Sequence, residues 1–254
     1  MILPDKTDFL PEDGFCELLD AILRKNQLQI YAKDEILRKF YALACILREE
    51  NAKYNLTAIT SDEGVALLHF ADSLTAAHLP THGASLLDVG AGAGFPSLPI
   101  AIVRPDISIT ALDATKKKTD YIGMAAKKLG LTNVTALNAR AEAPEMQSLR
   151  ESFDFAVARA VSSLGMICEL TLPYIKVGGC FAALKGENAD SELIGASQGL
   201  KKLSARIISD EKLVLKPKDG DGANTRRIIS IEKLAKTPDT YPRAYAKIKK
   251  SPLF

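Results

Sequence analysis

The sequence predicts an α/β fold: a mostly parallel sheet with an antiparallel edge strand, preceded by a small N-terminal helical subdomain. Three observations predict it. The run Ser85-Leu86-Leu87-Asp88-Val89 passes directly into Gly90-Ala91-Gly92-Ala93-Gly94-Phe95-Pro96, which reads as a short buried strand, a glycine turn and a helix start. From residue 85 onward, short apolar runs alternate with longer helical patterns, the mark of a parallel sheet with crossover helices. Before residue 80 the periodicity is helical throughout. The expected division is a helical subdomain over 1–82, the α/β domain over 83–235 and a basic C-terminal tail over 236–254.

The helical part is read from its apolar faces. Phe15, Leu18, Leu19, Ile22 and Leu23 mark one helix; Ile36, Phe40, Leu43 and Leu47 mark a second. Thr60-Ser61-Asp62-Glu63 fits a capping box, and Val65, Leu68 and Asp72 carry a third helix on towards Pro80. Strands are expected over 86–89, 107–112, 133–137, 153–157 and 180–184. The intervening helices include one over 114–129, stopped by Gly130, and one over 189–203. Two last strands, 206–215 and 226–231, flank the loop 216–222 and supply the antiparallel edge.

Composition narrows the class. The chain has 254 residues, 47% hydrophobic and 25% charged, an ordinary globular profile with ample core. A net charge of +2 leaves any polyanion binding to local clusters. The start Met1-Ile2-Leu3-Pro4-Asp5 has no basic region followed by an apolar one, and no apolar run approaches ~18 residues, so neither a secretion signal nor a membrane span is expected. Cys16, Cys45, Cys168 and Cys180 lack C-x-x-C spacing and read as small core residues of a cytoplasmic protein. Pro80 separates His78 from His82 and spoils a helical metal pair, so no metal is expected.

The glycine turn points to a nucleotide-type pocket at the carboxyl end of a strand, where free N–H groups face a ligand. A dinucleotide fingerprint would need glycine at Phe95, and a P-loop would need a Lys-Ser/Thr pair after the glycines. What stands here, acidic-x-G-x-G-x-G, resembles the first motif of class I S-adenosylmethionine (SAM) methyltransferases. That cofactor carries no phosphate and has cationic amino and sulfonium groups, so Asp88 beside Gly90, Gly92 and Gly94 would suit it. Another nucleotide, or a merely structural turn, remains open from these residues alone. Asp113 ends the second strand about twenty residues past the glycines, where such folds set an acid on ribose hydroxyls. The same position also suits the N-cap of the following helix.

Other candidates are spread along the chain. Arg159 ends the fourth strand, where a guanidinium can anchor a carboxylate, a phosphate or a base edge. Asn55 and Thr57 offer hydrogen bonds to a substrate, or belong to a packed connector. His69 and Asp72 share a helix face, as a catalytic couple or as a pair that holds the helical part in place. Lys116, Lys117 and Lys118 open a helix against its dipole, which suits phosphate or simple solvation. Lys185 closes the fifth strand. The tail interleaves Tyr241 and Tyr245 with Arg243, Lys247, Lys249 and Lys250, suited to RNA phosphates and base stacking, or to a frayed solvated end.

An ordered set of short motifs carries a more specific resemblance. It comprises Tyr54-Asn55-Leu56-Thr57, His69-Phe70-Ala71-Asp72-Ser73-Leu74, the glycine run through Pro96, Leu112-Asp113 with Lys117-Lys118, Arg140-Ala141-Glu142, Ala158-Arg159-Ala160 and Leu184-Lys185-Gly186. Together these resemble the bacterial RsmG family, also called GidB, over essentially the whole chain from the second helix on. Ser97 and Ala71 depart from the family's usual glycine and larger apolar residue, and Ala114-Thr115 replaces the more usual Ser-Leu.

The resemblance implies a class I, Rossmann-like fold and a SAM-dependent enzyme that methylates N7 of one guanine in 16S ribosomal RNA. On the family pattern Gly90, Phe95, Ala141, Glu142 and Arg159 would touch the cofactor, and the segment Asp113-Ala114-Thr115 would meet its adenosine part. The implied partner is ribosomal RNA, the small subunit or an assembly intermediate; the sequence is silent on oligomeric state, with a monomer favoured. The residues suit that chemistry. Guanine N7 presents an unprotonated in-plane lone pair and needs no general base. The chain has no N-P-P or D-P-P motif of the kind amine methylases use, and no Pro-Cys or Thr-Cys for addition to a pyrimidine ring. A small-molecule SAM methyltransferase and a non-catalytic RNA-binding protein of the same fold are the competing readings.

Overall fold

The computed structural model describes residues 9–160, 162–220, 222 and 224–254. The opening residues 1–8 of the expected helical subdomain, and Asp221 of the expected loop, lie outside the described residues.

Helix α1 (Glu12–Lys25) buries Phe15, Leu18, Leu19, Ile22 and Leu23, and α2 (Asp34–Tyr54) buries Leu37, Phe40, Leu43 and Leu47. The acids of α1 stand in its first turn and Arg24 and Lys25 in its last, complementing the helix dipole. Asn55 ends α2 in the left-handed region, at φ 50°, a conformation that asparagine tolerates well. Ser61, rather than Thr60, caps the next helix: its Oγ accepts from the Gly64 N–H at 3.2 Å. That helix begins as α3 (Asp62–Gly64), widens into a π-helical stretch Val65–Ala71, and closes as α4 (Asp72–Leu74). It therefore ends before Pro80.

The strands are β1 (Ser85–Val89), β2 (Ser108–Asp113), β3 (Val134–Asn138), β4 (Phe153–Arg159), β5 (Ile175–Lys185), β6 (Ala205–Leu215) and β7 (Asn224–Lys233). They form one sheet in the order β3-β2-β1-β4-β5-β7-β6. Strands β1 to β5 pair in parallel, and β7 runs antiparallel to both β5 and β6, so the antiparallel strand lies one place in from the edge. Strand order reverses between β1 and β4. Open α/β sheets place ligands outside the carboxyl ends of the strands at such a reversal.

Side chains alternate across the sheet. Leu86, Ile109, Phe155 and Val157 join a core with α1, α2, α5 (Ser97–Val103) and α6 (Lys116–Lys128). Leu87, Val89, Ala156 and Ala158 face a second core with α7 (Leu164–Thr171) and α8 (Ala196–Lys202). The expected helix 189–203 is two pieces, because Gly195 takes φ 77° between the 3-10 turns of Glu187–Leu193 and α8. The last helix, α9 (Tyr245–Lys250), buries Ile248 in the second core. Among the described residues no helix is long and apolar enough to cross a membrane.

Candidate active site

The glycine turn grows from β1 and is clamped to β2. Gly90 and Ala91 both donate their N–H groups to the Leu112 carbonyl, at 2.8 and 3.0 Å. Gly92 and Gly94 need their missing side chains for different reasons. At Gly94, φ is +80° and a Cβ would fall 2.6 Å from Leu98 Cδ1, so this glycine lets α5 pack closely. At Gly92, φ is +59° and a Cβ would meet nothing nearer than the Gly90 oxygen at 3.9 Å, so this glycine leaves the wall open. A side chain there would stand where a ligand could approach the main chain.

Asp88 lies beneath that turn rather than beside the cavity. It is fully buried, and its Oδ2 accepts from the Ser97 N–H at 3.2 Å and from the Ser97 hydroxyl. Oδ1 has no partner among the described residues, and burial pushes the carboxyl up to about 6. This placement departs from the sequence-based expectation. An acid preceding such glycines could face a cation or stitch the helix start, and here Ser97 takes it for the second task. Asp113 is also committed to backbone: Oδ2 accepts from Gly92 N–H at 3.0 Å and Oδ1 from Thr115 N–H at 2.8 Å. Lys118 Nζ stands 3.8 Å from Oδ2. Thr115 rather than Asp113 is the N-cap of α6, and no side chain caps that helix, so Asp113 instead closes a two-residue turn that fixes its carboxylate at the end of β2 against the glycines.

A cavity of about 770 Å³ opens here, within the usual range for small-molecule sites. Of the expected cofactor residues, Gly90, Gly92, Phe95, Asp113 and Arg159 line it. Of the expected substrate residues, Thr57, His69, Asp72, Lys118 and Lys185 line it. Sequence reasoning missed Arg226 and Glu192, which complete the wall. Arg226 comes from β7, far along the chain, and only the pairing of β5 with β7 brings it round to this edge.

Arg159 organises the junction between sheet and helices. Its Nη1 donates to the Leu68 carbonyl at 2.6 Å and to Asp72 Oδ2 at 2.7 Å, while Nη2 lies 3.3 Å from His69 Nδ1. Asp72 Oδ1 accepts from Arg226 Nε at 2.9 Å, so one buried carboxylate is shared by two guanidinium groups. The His69 ring stacks on Phe95 with centroids 4.2 Å apart and planes 3° from parallel. Its Nε2 lies 2.9 Å from Thr57 Oγ1. With Arg159 donating to Nδ1, the network assigns the proton to Nε2. Burial, helped by the Arg159 charge, pushes the imidazole down to about 3, so His69 is neutral at physiological pH. Lys185 is likewise engaged, by Glu192 at 2.7 Å and by the Ser162 carbonyl.

The remaining expected residues lie elsewhere. Gly94 packs against α5, and Ala114 and Thr115 lead into α6. Ala141 is buried with its carbonyl accepting from the Tyr174 hydroxyl, and Glu142 pairs with Arg140 at 2.6 Å. Asn55 ends α2, Lys116 pairs with Asp120 at 2.8 Å, and Lys117 donates to the Tyr54 carbonyl at 3.1 Å. Arg243 is tied to the buried Glu169, and Lys247, Lys249 and Lys250 stand on α9.

Residues 36–215 match the family model GidB, described as rRNA small subunit methyltransferase G. The chain belongs to the GidB family. It is 39% identical over 243 residues to the ribosomal RNA small subunit methyltransferase G of Clostridium beijerinckii, covering 94% of this chain and 99% of that one. Against the protein of the same name from Halalkalibacterium halodurans, identity is 43% over 210 residues, covering 82% and 87%. Solved structures share the fold at low identity. M. jannaschii TYW2 in complex with AdoMet superposes with a TM-score of 0.52 at 16% identity, covering 64% of this chain and 75% of that one. The [4+2]-cyclase SpnF gives 0.53 at 14% identity, covering 80% and 97%. A cyclase on the same fold illustrates that architecture alone does not set the reaction. Family membership and the site narrow it.

Proposed function

We propose that this GidB-family chain transfers a methyl group from SAM to N7 of a guanine in small-subunit ribosomal RNA. One observation carries the reading. In a chain of this family, an open glycine wall at the β1 end adjoins a fixed carboxylate at the β2 end, and both line one cavity. When bound, SAM supplies an electrophilic methyl on a sulfonium, which the in-plane N7 lone pair takes by in-line displacement.

Gly90 and Gly92 give the ligand its close approach to the main chain, and Asp113 has the acceptor geometry for a ribose diol. Phe95, with His69 stacked behind it, and Arg159 form the wall towards the helical segment. In this family Ala141 and Glu142 would meet the adenine from the β3 loop. The lining carboxylates are all engaged: Asp72 by two arginines, Asp113 by two N–H groups and Glu192 by Lys185. His69 is held neutral with both nitrogens occupied. Among the described residues no lining group is therefore poised as a general base, which suits N7 and not an exocyclic amine or a sugar hydroxyl. The rate then comes from positioning, where well-aligned reactants save ~7–11 kcal/mol.

Lys118, part-exposed at the cavity wall, would meet an RNA phosphate, whereas the expected Lys185 is held by Glu192 and the Ser162 carbonyl. The chain works in the cytoplasm, as a monomer, on ribosomal RNA or a small-subunit particle. Mass mapping of ribosomal RNA from cells lacking the gene tests the assignment: one guanine loses a methyl group, restored by the wild-type gene. Unchanged methylation at every guanine would overturn it.

A further inference from the structure

Residues 236–254 carry chemistry that the cavity does not use. Arg243 faces inward: its backbone N–H, Nε and Nη2 donate to Glu169 at 2.9, 2.7 and 2.6 Å. Glu169 is fully buried in α7. Ile248 is fully buried beneath α9, and the Phe254 ring fits a slot that only a glycine leaves open, since a Cβ on Gly199 would lie 2.0 Å from it. The segment is thus a strap fixed at its start, its middle and its end. The sequence left open a frayed terminus; the structure shows a docked one.

What the strap holds outward is of one kind. With Ile248 turned in, Lys247, Lys249 and Lys250 are exposed, and among the described residues none of the three makes an ion pair. Tyr245, 37% exposed, carries the Arg140 guanidinium 4.9 Å from its ring centroid. Arg140 lies two residues past the end of β3, so it stands at the carboxyl edge of the sheet that also bears the glycine turn and Asp113. Arg140 is held there by Glu142. No acid interrupts residues 244–250.

We propose that the outer side of α9, with Tyr245 and Arg140, is a preformed binding track for the substrate RNA, lysines meeting phosphates and the tyrosine ring meeting an unpaired base. This rests on the RNA reading above and extends it to residues outside the cavity. Exposed lysines beside an aromatic ring are the combination that single-stranded and looped RNA engages. Because Arg243 and Phe254 anchor the strap, the track costs little ordering on binding. Arg243 is its lock and makes no RNA contact. Lysines in a last helical turn also suit the helix dipole; that alternative predicts a change in stability and none in RNA affinity.

The test is the triple variant Lys247→Gln, Lys249→Gln, Lys250→Gln, assayed for binding to deproteinised small-subunit rRNA and to intact small subunits across a range of salt. At roughly 0.7–0.9 per phosphate contact, the slope of log K against log salt falls by about 2 to 3, with SAM affinity unchanged. Tyr245→Ala weakens binding roughly 5- to 150-fold with little change in that slope. A control triple at Lys33, Lys39 and Lys127, exposed lysines on or beside α2 and α6, leaves the slope as in wild type. An unchanged slope in the α9 triple, or an equal loss in the control, overturns the track while wild-type methylation of rRNA upholds the function. Wild-type protein that binds neither RNA overturns the function itself.

Discussion

Replacing Asp113 with alanine tests the junction of turn and cavity in two separable ways. The carboxylate accepts from Gly92 N–H at 3.0 Å and from Thr115 N–H at 2.8 Å, with Lys118 at 3.8 Å. Hydrogen bonds to a charged group contribute about 1.5–3 kcal/mol each. Both N–H groups lie near an open cavity and can be partly rehydrated, so the fold should lose about 2–4 kcal/mol rather than the full sum. That loss is read as a shift in urea midpoint at unchanged slope. Under conditions where the variant remains folded, titration calorimetry should show SAM binding weaker by about 1–3 kcal/mol, a loss of roughly 5- to 150-fold in Kd. Asp113→Asn, which keeps one acceptor, should fall between. Wild-type affinity in a folded Asp113→Ala protein would remove Asp113 from the ribose. A wild-type midpoint would refute the account of the turn.

Arg159→Ala should lower kcat/KM by about a hundredfold or more, because a misplaced wall costs alignment, while stability falls by only about 2 kcal/mol since Asp72 keeps Arg226. Near-wild-type turnover would take Arg159 out of the site. His69, pushed down to about 3 from 6.5, is protonated more readily in the unfolded chain, so its stabilising contribution is complete above about 6.5 and shrinks as pH falls towards 3. Asp88, raised to about 6 from 3.8, acts in the opposite sense between those two values. His69→Gln should therefore lose about 2 kcal/mol less than wild type between pH ~7.5 and ~5; parallel stability curves would contradict the assignment. Gly94→Ala should cost about 2–4 kcal/mol, from strain at φ +80° and overlap with Leu98. Gly92→Ala, with open space before it, should cost about 1–2 kcal/mol in stability and more in SAM affinity. Equal destabilisation by the two would show that both glycines serve packing.

The architecture was legible because its signals are local. The Leu86 to Val89 run, the glycine turn and the apolar faces of α1 and α2 each occupy a short window with its own period. The edge strands were also legible, since loop 216–222 separates two β-rich runs. Other features depend on partners far along the chain. Nothing around Asp88 says whether it faces a ligand or Ser97; that follows from how α5 seats on the turn. The π-helical stretch around His69 was not legible either, and the partners it meets, Arg159 at the Leu68 carbonyl and Phe95 against the His69 ring, lie far along the chain. Arg226 was invisible as a site residue until β7 paired with β5. The tail misled for the same reason. Arg243 carries the same charge as the exposed lysines, and only the buried Glu169 separates its role from theirs.

The central claim is a cofactor seated where β1 and β2 end, and diffraction from crystals of the full chain soaked with SAM tests it most directly. The expected density runs along Gly90 and Gly92, with the ribose within hydrogen-bonding distance of Asp113 and the methyl directed towards the wall formed by Arg159 and Phe95. Density at another site, or none at a concentration that saturates binding in solution, would contradict the account.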